Sequence, residues 1–295
     1  MDRLTGRDLC ICPGTGKDKV LKKTYRIRTD KVSGTVRICF LTDWHASDTN
    51  LSPKELFELV EAEKPDLLIL GGDMATGSSC RSLVLADSFI RHAALYFPVY
   101  YGRGNHEEML YLHPRSHFKY IEYEKRLKDR GVHLLDNTYA SWERDSDRIE
   151  IYGFTVPYFY YKKPFPPSLT KGAVSRRLGE RQENCYSILL GHTPLYAKKY
   201  LDWGADLTLC GHYHGGVIRF DEHHGAVSPQ MIPFPKYCCG DFYRGSQTLI
   251  VGAGIGDHSL GRETSEGFRI PLRYHNPVEL VMIVLEPDEN KRKEP

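Results

Sequence analysis

The 295-residue sequence predicts an α/β fold in which two α/β halves pack as a sandwich. Three observations carry this. Residues 36 to 104 alternate short apolar runs with helical stretches, giving a βαβαβ order that implies parallel strands joined by crossover helices. The apolar runs return at "YSILLGH" and "LTLCGHYH", with a helical segment between them. Between the two sets, "TYASWER" and "RIEIYGF" read as an antiparallel pair. A chain that is 41% apolar and 26% charged suits a globular protein with a sizeable core.

Taken in order, "VRICFLT" is a buried strand. Ser52 precedes Pro53 and stands three residues before Glu55, a capping box with proline at the first helical position, so "SPKELFELVEAEK" starts a helix. "DLLILGG" is a second strand, a helix follows over about 82–95, and "FPVYYGRGN" is a third strand. "SHFKYIEYEKRLKDRG" ends in a basic turn and Gly131, as a helix should. Beyond an irregular stretch at 155–184 come "YSILLGH", a helix opened by Pro194 and closed at Gly204, and "LTLCGHYH". "TLIVGAGIG" and "VELVMIVLEP" complete the chain. The expected organisation is a flexible tail over 1–20, one domain over 21–287 with a flap at about 155–184, and a charged tail over 288–295.

A net charge of +2 argues against a surface built to coat a polyanion, so nucleic-acid binding is not indicated. The longest apolar stretches fall far below the roughly 20 residues of a membrane span. The N-terminus lacks the apolar run of a signal peptide, and the expectation is a cytoplasmic protein, with a position peripheral to a membrane left open. The eight cysteines contain no CxxC pair, and Cys39, Cys185 and Cys210 sit in or beside apolar runs as buried thiols would.

The strands end alike. The first runs into Asp43 and His45, the second into Asp73, the third into Asn105, His106 and Glu107, and the later two into His192 and the pair His212 and His214. Ligands of open α/β sheets gather beyond the carboxyl ends of strands. In an extended segment residues i and i+2 face the same side, which would bring His212 and His214 into one volume. Any one of these residues is more simply a cap, a turn residue or a hydrogen-bonded histidine. Together they form a donor set without thiolate that suits divalent manganese, iron or zinc. Seven donors exceed one open catalytic ion and fit two ions about 3.5–4 Å apart, the arrangement that holds both sides of a phosphoryl displacement.

Asp-x-His, Gly-Asp, Gly-Asn-His-Glu, Gly-His and Gly-His-x-His, in this order after strands, resemble the calcineurin-like metallophosphoesterases over residues 36–216. "IPLRYHNPVELVMIVL" further resembles the closing segment of the bacterial YkuE- and YaeI-type phosphodiesterases. The resemblance implies a four-layer α/β/β/α sandwich of two mixed sheets flanked by helices. It implies a first divalent ion on Asp43, His45 and His214, a second on Asn105, His192 and His212, and Asp73 bridging them. His106 would face substrate and protonate or stabilise the leaving oxygen, with Glu107 holding it. Many relatives carry Asp or His three residues after the bridging Asp in support of that histidine, whereas Thr76 stands here and supplies no charge.

The flap interleaves aromatics with cations, and Tyr160, Lys162 and Lys163 are candidates to meet a ring and a phosphate; Arg103, beside a ligand motif, is a further substrate candidate. Trp44 alternates away from Asp43 and His45 and reads as core. The expected function is hydrolysis of phosphodiester bonds, and secondarily monoesters, in a small-molecule or lipid-linked substrate through metal-activated hydroxide. The enzymatic alternative is pyrophosphate hydrolysis on a nucleotide-linked lipid precursor. The rival from another class is a non-catalytic binding scaffold.

Overall fold

The computed structural model describes residues 20–47, 50–77, 80–256, 259–260, 270–271, 273 and 275–288. The expected tails, over 1–20 and 288–295, lie almost wholly outside the described residues. The elements are β1 (Leu21–Thr29), β2 (Val36–Leu41), α1 (Pro53–Ala62), β3 (Leu67–Leu70), α2 (Cys80–Ala93), β4 (Val99–Gly102), α3 (Asn105–Leu112), α4 (Pro114–Asp129) and β5 (His133–Leu135). Then follow β6 (Thr138–Arg144), β7 (Asp147–Gly153), α5 (Ala173–Leu178), β8 (Tyr186–Leu190), α6 (Ala197–Trp203), β9 (Leu207–Cys210), β10 (Gly240–Arg244) and β11 (Gln247–Val251). A short pair, β12 (Ser259–Leu260) and β13 (Ile270–Pro271), precedes β14 (Glu279–Pro287).

Two six-stranded mixed sheets result, in the orders β1-β14-β2-β3-β4-β5 and β10-β11-β9-β8-β7-β6. In the first, β2, β3, β4 and β5 run parallel while β14 lies antiparallel to β2. In the second, β7, β8, β9 and β11 run parallel and β6 and β10 close the edges antiparallel.

The period-2 alternation of the strands sorts their side chains into layers. Ile38 and Phe40 of β2 and Ile69 of β3 meet Ile149, Ile151, Ile188 and Leu209 of the second sheet in a core between the sheets. Cys39 and Leu41 point the other way, onto Leu56 and Val60 of α1 and Phe89 of α2. On the outer face of the second sheet, Tyr152, Leu189 and Leu249 pack with Tyr200, Leu201 and Trp203 of α6. Helix, sheet, sheet and helix therefore form four layers, the expected sandwich.

The Ser52–Glu55 capping box forms with both reciprocal bonds, so α1 starts where the sequence places it. Three details differ. Helix α2 begins earlier than expected, at Cys80. Pro194 opens a single 3-10 turn, Pro194–Tyr196, before α6, which does end at left-handed Gly204. Strand β1, rich in exposed Lys and Arg, pairs in parallel with β14 as a sheet edge. Its alternating polar face carries no apolar run, so the sequence reading passed over it.

Candidate metal centre

The strands β2, β3 and β9 end in sharp backbone turns at their donors. Asp43, His45, Asp73, His212 and His214 all adopt positive φ, at 53°, 48°, 52°, 65° and 48°. Residues with a Cβ rarely occupy this region, and each such conformation costs about 1–3 kcal/mol. Strand β9 stops at Cys210, so the shared face of an extended segment expected for His212 and His214 does not form; a left-handed kink at each of them delivers the pair instead.

The turns are locked to one another. Asp43 N–H donates to Gly72 O, His45 N–H to Asp73 O, and Ala46 N–H to Met74 O, each at 3.0 Å. Thus the loops after β2 and β3 run side by side. Glycine is required where loops touch. A Cβ on Gly104 would lie 2.2 Å from Asp73 Oδ1, and one on Gly211 would lie 2.2 Å from Asp43 Oδ2.

Three donor groups come together: Asp43 with His45 and His214; Asp73 with His192 and His212; and His45 with Asp73 and His106. His45 Nε2 lies 3.3 Å from His214 Nε2, and Asp43 Oδ1 lies 3.5 Å from His214 Nε2. On the other side Asp73 Oδ2 is 3.2 Å from His192 Nε2, 3.9 Å from His45 Nε2 and 4.0 Å from His106 Nε2. Asp73 therefore faces both halves of the cluster. Asp43 Oδ1, Asn105 Oδ1 and His192 Nε2 are buried and have no hydrogen-bond partner among the described residues. Buried polar atoms are ordinarily satisfied, and Asp43 Oδ1 and His192 Nε2, 3.8 Å apart, fit a cation as their common partner.

The electrostatics agree. Burial pushes the His192 imidazole down, but Asp73 and Asp43 beside it outweigh burial and raise its pKa to about 10. Burial raises Asp43 to about 6 against the pull of His192, while the surrounding histidines overcome the burial of Asp73 and hold it well below the usual carboxylate range. The pocket thus favours positive charge. Burial and then the field of His192 keep His212 far below the ordinary histidine value, so it offers a lone pair rather than a charge. His192 Nδ1 donates to Gly71 O at 2.8 Å, which leaves its Nε2 as the ligand nitrogen.

Several side chains serve otherwise than expected. Glu107 does not hold His106. Its fully buried carboxylate accepts from the N–H groups of Asp73, Met74 and Gly104 at 2.7, 2.9 and 3.0 Å, and from Tyr101 Oη at 2.7 Å, so it fastens the Asp73 loop to α3. Thr76 does not reach His106 either. The Gly77 N–H donates to His106 Nδ1 at 2.8 Å, and the Thr76 N–H donates to Ser82 Oγ. Arg103 is no substrate contact: its guanidinium meets Glu124 at 2.7 Å, Asp136 at 2.8 Å and Glu108 at 3.4 Å, and it lies over the rings of Tyr111 and Tyr120.

Trp44 is fully buried against Phe89, as expected. In the flap, Lys162 and Lys163 are exposed, and Tyr160 turns its ring edge to Tyr196 while its carbonyl accepts from Tyr196 Oη. It is Tyr161, one residue on, that packs edge-on against His212 at 5.1 Å. Gln230 was not a candidate and sits at the centre. Its Nε2 lies 2.5 Å from His212 Nε2, and its Oε1 has no partner among the described residues. The two ends of a glutamine amide are interchangeable, and the reverse assignment lets Oε1 accept a proton from His212 Nε2.

This fold and cluster define a metal-dependent phosphoesterase. A calcineurin-like phosphoesterase family model matches residues 36–216, and the chain belongs to that family. It is similar to YkoQ of Bacillus subtilis, an uncharacterized metallophosphoesterase, at 23% identity over 81% of this chain and 83% of the relative. Phosphodiesterase YaeI of Escherichia coli is 27% identical over 75% of each chain. YkuE of B. subtilis, a further uncharacterized metallophosphoesterase, is 26% identical over 84% of this chain and 78% of the relative. No described helix is long and apolar enough to cross a membrane.

Proposed function

We propose that the chain hydrolyses phosphodiesters with two divalent ions, manganese, iron or zinc, held at one sheet edge. The observation that carries this is Asp73, which belongs to two of the donor groups at once and so suits a bridging ligand. Asp43, His45 and His214 would hold one ion and Asn105, His192 and His212 the other. When bound, the ions supply charge neutralisation at the phosphate and lower the pKa of the attacking water.

The remaining work falls to the chain. His106 accepts at Nδ1 from Gly77, so its proton stands on Nε2. That N–H can donate a hydrogen bond to the leaving oxygen and stabilise the charge that builds there as the phosphorus–oxygen bond breaks, while Asp73 Oδ1 takes the His106 backbone N–H and fixes the ring beside the donors. Gln230 holds the proton on His212 Nε2 and leaves Nδ1 for the ion. Tyr160, Lys162 and Lys163 meet the body of the substrate, acting on KM rather than turnover. Residues 21–287 act as one catalytic unit in the cytoplasm. The diester reading is supported by YaeI, whose name is that of a phosphodiesterase, and nothing comparable favours pyrophosphate hydrolysis.

A panel of a phosphodiester, a phosphomonoester and a pyrophosphate, assayed with added manganese, tests the assignment. Preference for the diester supports it. Equal or greater activity on pyrophosphate overturns it.

A further inference from the structure

Around the metal-binding edge the described residues expose large apolar side chains on three separate segments. Leu112 ends α3 and Phe118 stands in the second turn of α4; Phe159 and Phe165 lie on the flap; Met231 and Phe234 lie on the excursion between β9 and β10. Phe118, Phe165 and Phe234 are 79%, 85% and 73% exposed. All three segments are tied to the site. Helix α3 begins with Asn105 and His106, the flap places Tyr161 on His212, and Gln230, beside Met231, reaches the same imidazole. A single exposed apolar residue is ordinary, but several on segments that each supply a residue to one site point to a binding surface.

The stretches that carry the tips are basic, although the excursion also holds Asp221 and Glu222 beside Phe220, whose ring stacks on Phe234 at 6.2 Å. Residues 111–121, 158–171 and 226–240 contain no Asp or Glu, although the chain carries 38. Each sets cations beside its aromatic residues: Arg115 near Phe118, Lys162 and Lys163 near Phe165, Lys236 near Phe234, and these four cations are exposed. The apolar tips stand on separate segments, Phe118 on helix α4 and Phe165 and Phe234 on irregular stretches. Separate tips demand shape complementarity of a protein partner, whereas a lipid surface accommodates each independently, with Lys and Arg meeting anionic headgroups.

We propose that this rim docks on an anionic lipid surface, so that the phosphoester reaching the ions is carried by a lipid. The inference rests on the phosphoesterase reading for the substrate, but the docking itself requires no hydrolysis.

Sedimentation of the full chain with vesicles tests it, comparing phosphatidylglycerol mixed into phosphatidylcholine with phosphatidylcholine alone, at low and high salt. Binding at least about tenfold stronger to the anionic vesicles and weakened by salt is expected. The triple variant Phe118→Ser, Phe165→Ser, Phe234→Ser should lose about tenfold or more of that binding while keeping its kcat/KM on a small soluble diester. Arg115→Glu with Lys236→Glu, which touches no apolar side chain, should lose vesicle binding too. Absent binding, equal binding to both vesicles, or wild-type binding by both variants overturns the proposal. So does a dimer, measured by light scattering, that the triple variant alone dissolves while vesicle binding persists. Failure of soluble-diester hydrolysis in the wild type would instead strike the phosphoesterase reading and leave the docking result standing.

Discussion

The backbone N–H of Gly77 donates to Nδ1 of His106 at 2.8 Å, where a carboxylate partner would have accepted from the ring. A donor at Nδ1 demands a lone pair there, so the imidazole is the Nε2–H tautomer without any acidic neighbour at position 76. His106→Asn should therefore retain bound metal while turnover falls about 10²- to 10³-fold. Metal analysis beside kcat checks this; loss of metal in the variant would make His106 a ligand, a role its proximity to His45 and Asp73 permits.

Gln230 lies outside the stretch matched by the family model, yet its buried amide meets His212. Removing a group that orients a metal-bound histidine typically costs 10- to 100-fold in metal affinity. Gln230→Leu should show a loss of about that size in chelator competition, and Gln230→Glu, which restores an acceptor for Nε2–H, should recover most of it. Unchanged affinity in Gln230→Leu would assign the amide to packing alone.

Arg103 is a stability residue. Removing one partner of a buried ion cluster leaves uncompensated charge and costs about 3–5 kcal/mol. Arg103→Gln should lower the denaturation midpoint through stranded Glu124 and Glu108, and KM for the diester should stay within about twofold. A raised KM at unchanged stability would restore the substrate role.

Asp147 anchors the turn before β2. Burial pushes its pKa up, but Ser33, the Gly34 N–H at 3.1 Å and the charge of Arg144 outweigh burial and hold it below the usual carboxylate range. A depressed folded-state pKa gives stability that is full above the unfolded value of about 3.9 and is lost as pH falls through the folded value. Urea denaturation should show Asp147→Asn about 1–3 kcal/mol less stable at pH 7, with the gap closing as pH falls through and below the ordinary carboxylate range. A constant gap across that range would deny the ionised carboxylate any part.

Much of this was legible in local pattern. The βαβαβ run, the Ser52–Glu55 box and the placement of donors after strands depend on neighbours in sequence, and the structure brings Asp43, His45, Asp73, His192, His212 and His214 together, with Asn105 at the head of α3 next to His106. The misreadings involve distance. Arg103 looks available until Glu124 and Asp136 fold onto it, and Glu107 looks like a prop for His106 until four loop groups claim its oxygens. Tyr161, which the sequence did not single out, meets His212 because a 3-10 turn sets the flap's phase. Gln230, in a segment without periodic pattern, carries no local signal at all. The left-handed backbone at five donors is likewise invisible, since nothing in Asp or His announces positive φ as glycine does.

Metal stoichiometry against activity tests the two-ion account most directly. The chain should be stripped with chelator, titrated with manganese, and followed at once by bound metal per chain and by diester hydrolysis, for the wild type and for Asp73→Asn. The account predicts two ions per wild-type chain, activity that appears only as the second binds, and a larger loss in Asp73→Asn than in any other single ligand variant. Full activity at one ion per chain, or undiminished hydrolysis in Asp73→Asn, would contradict it.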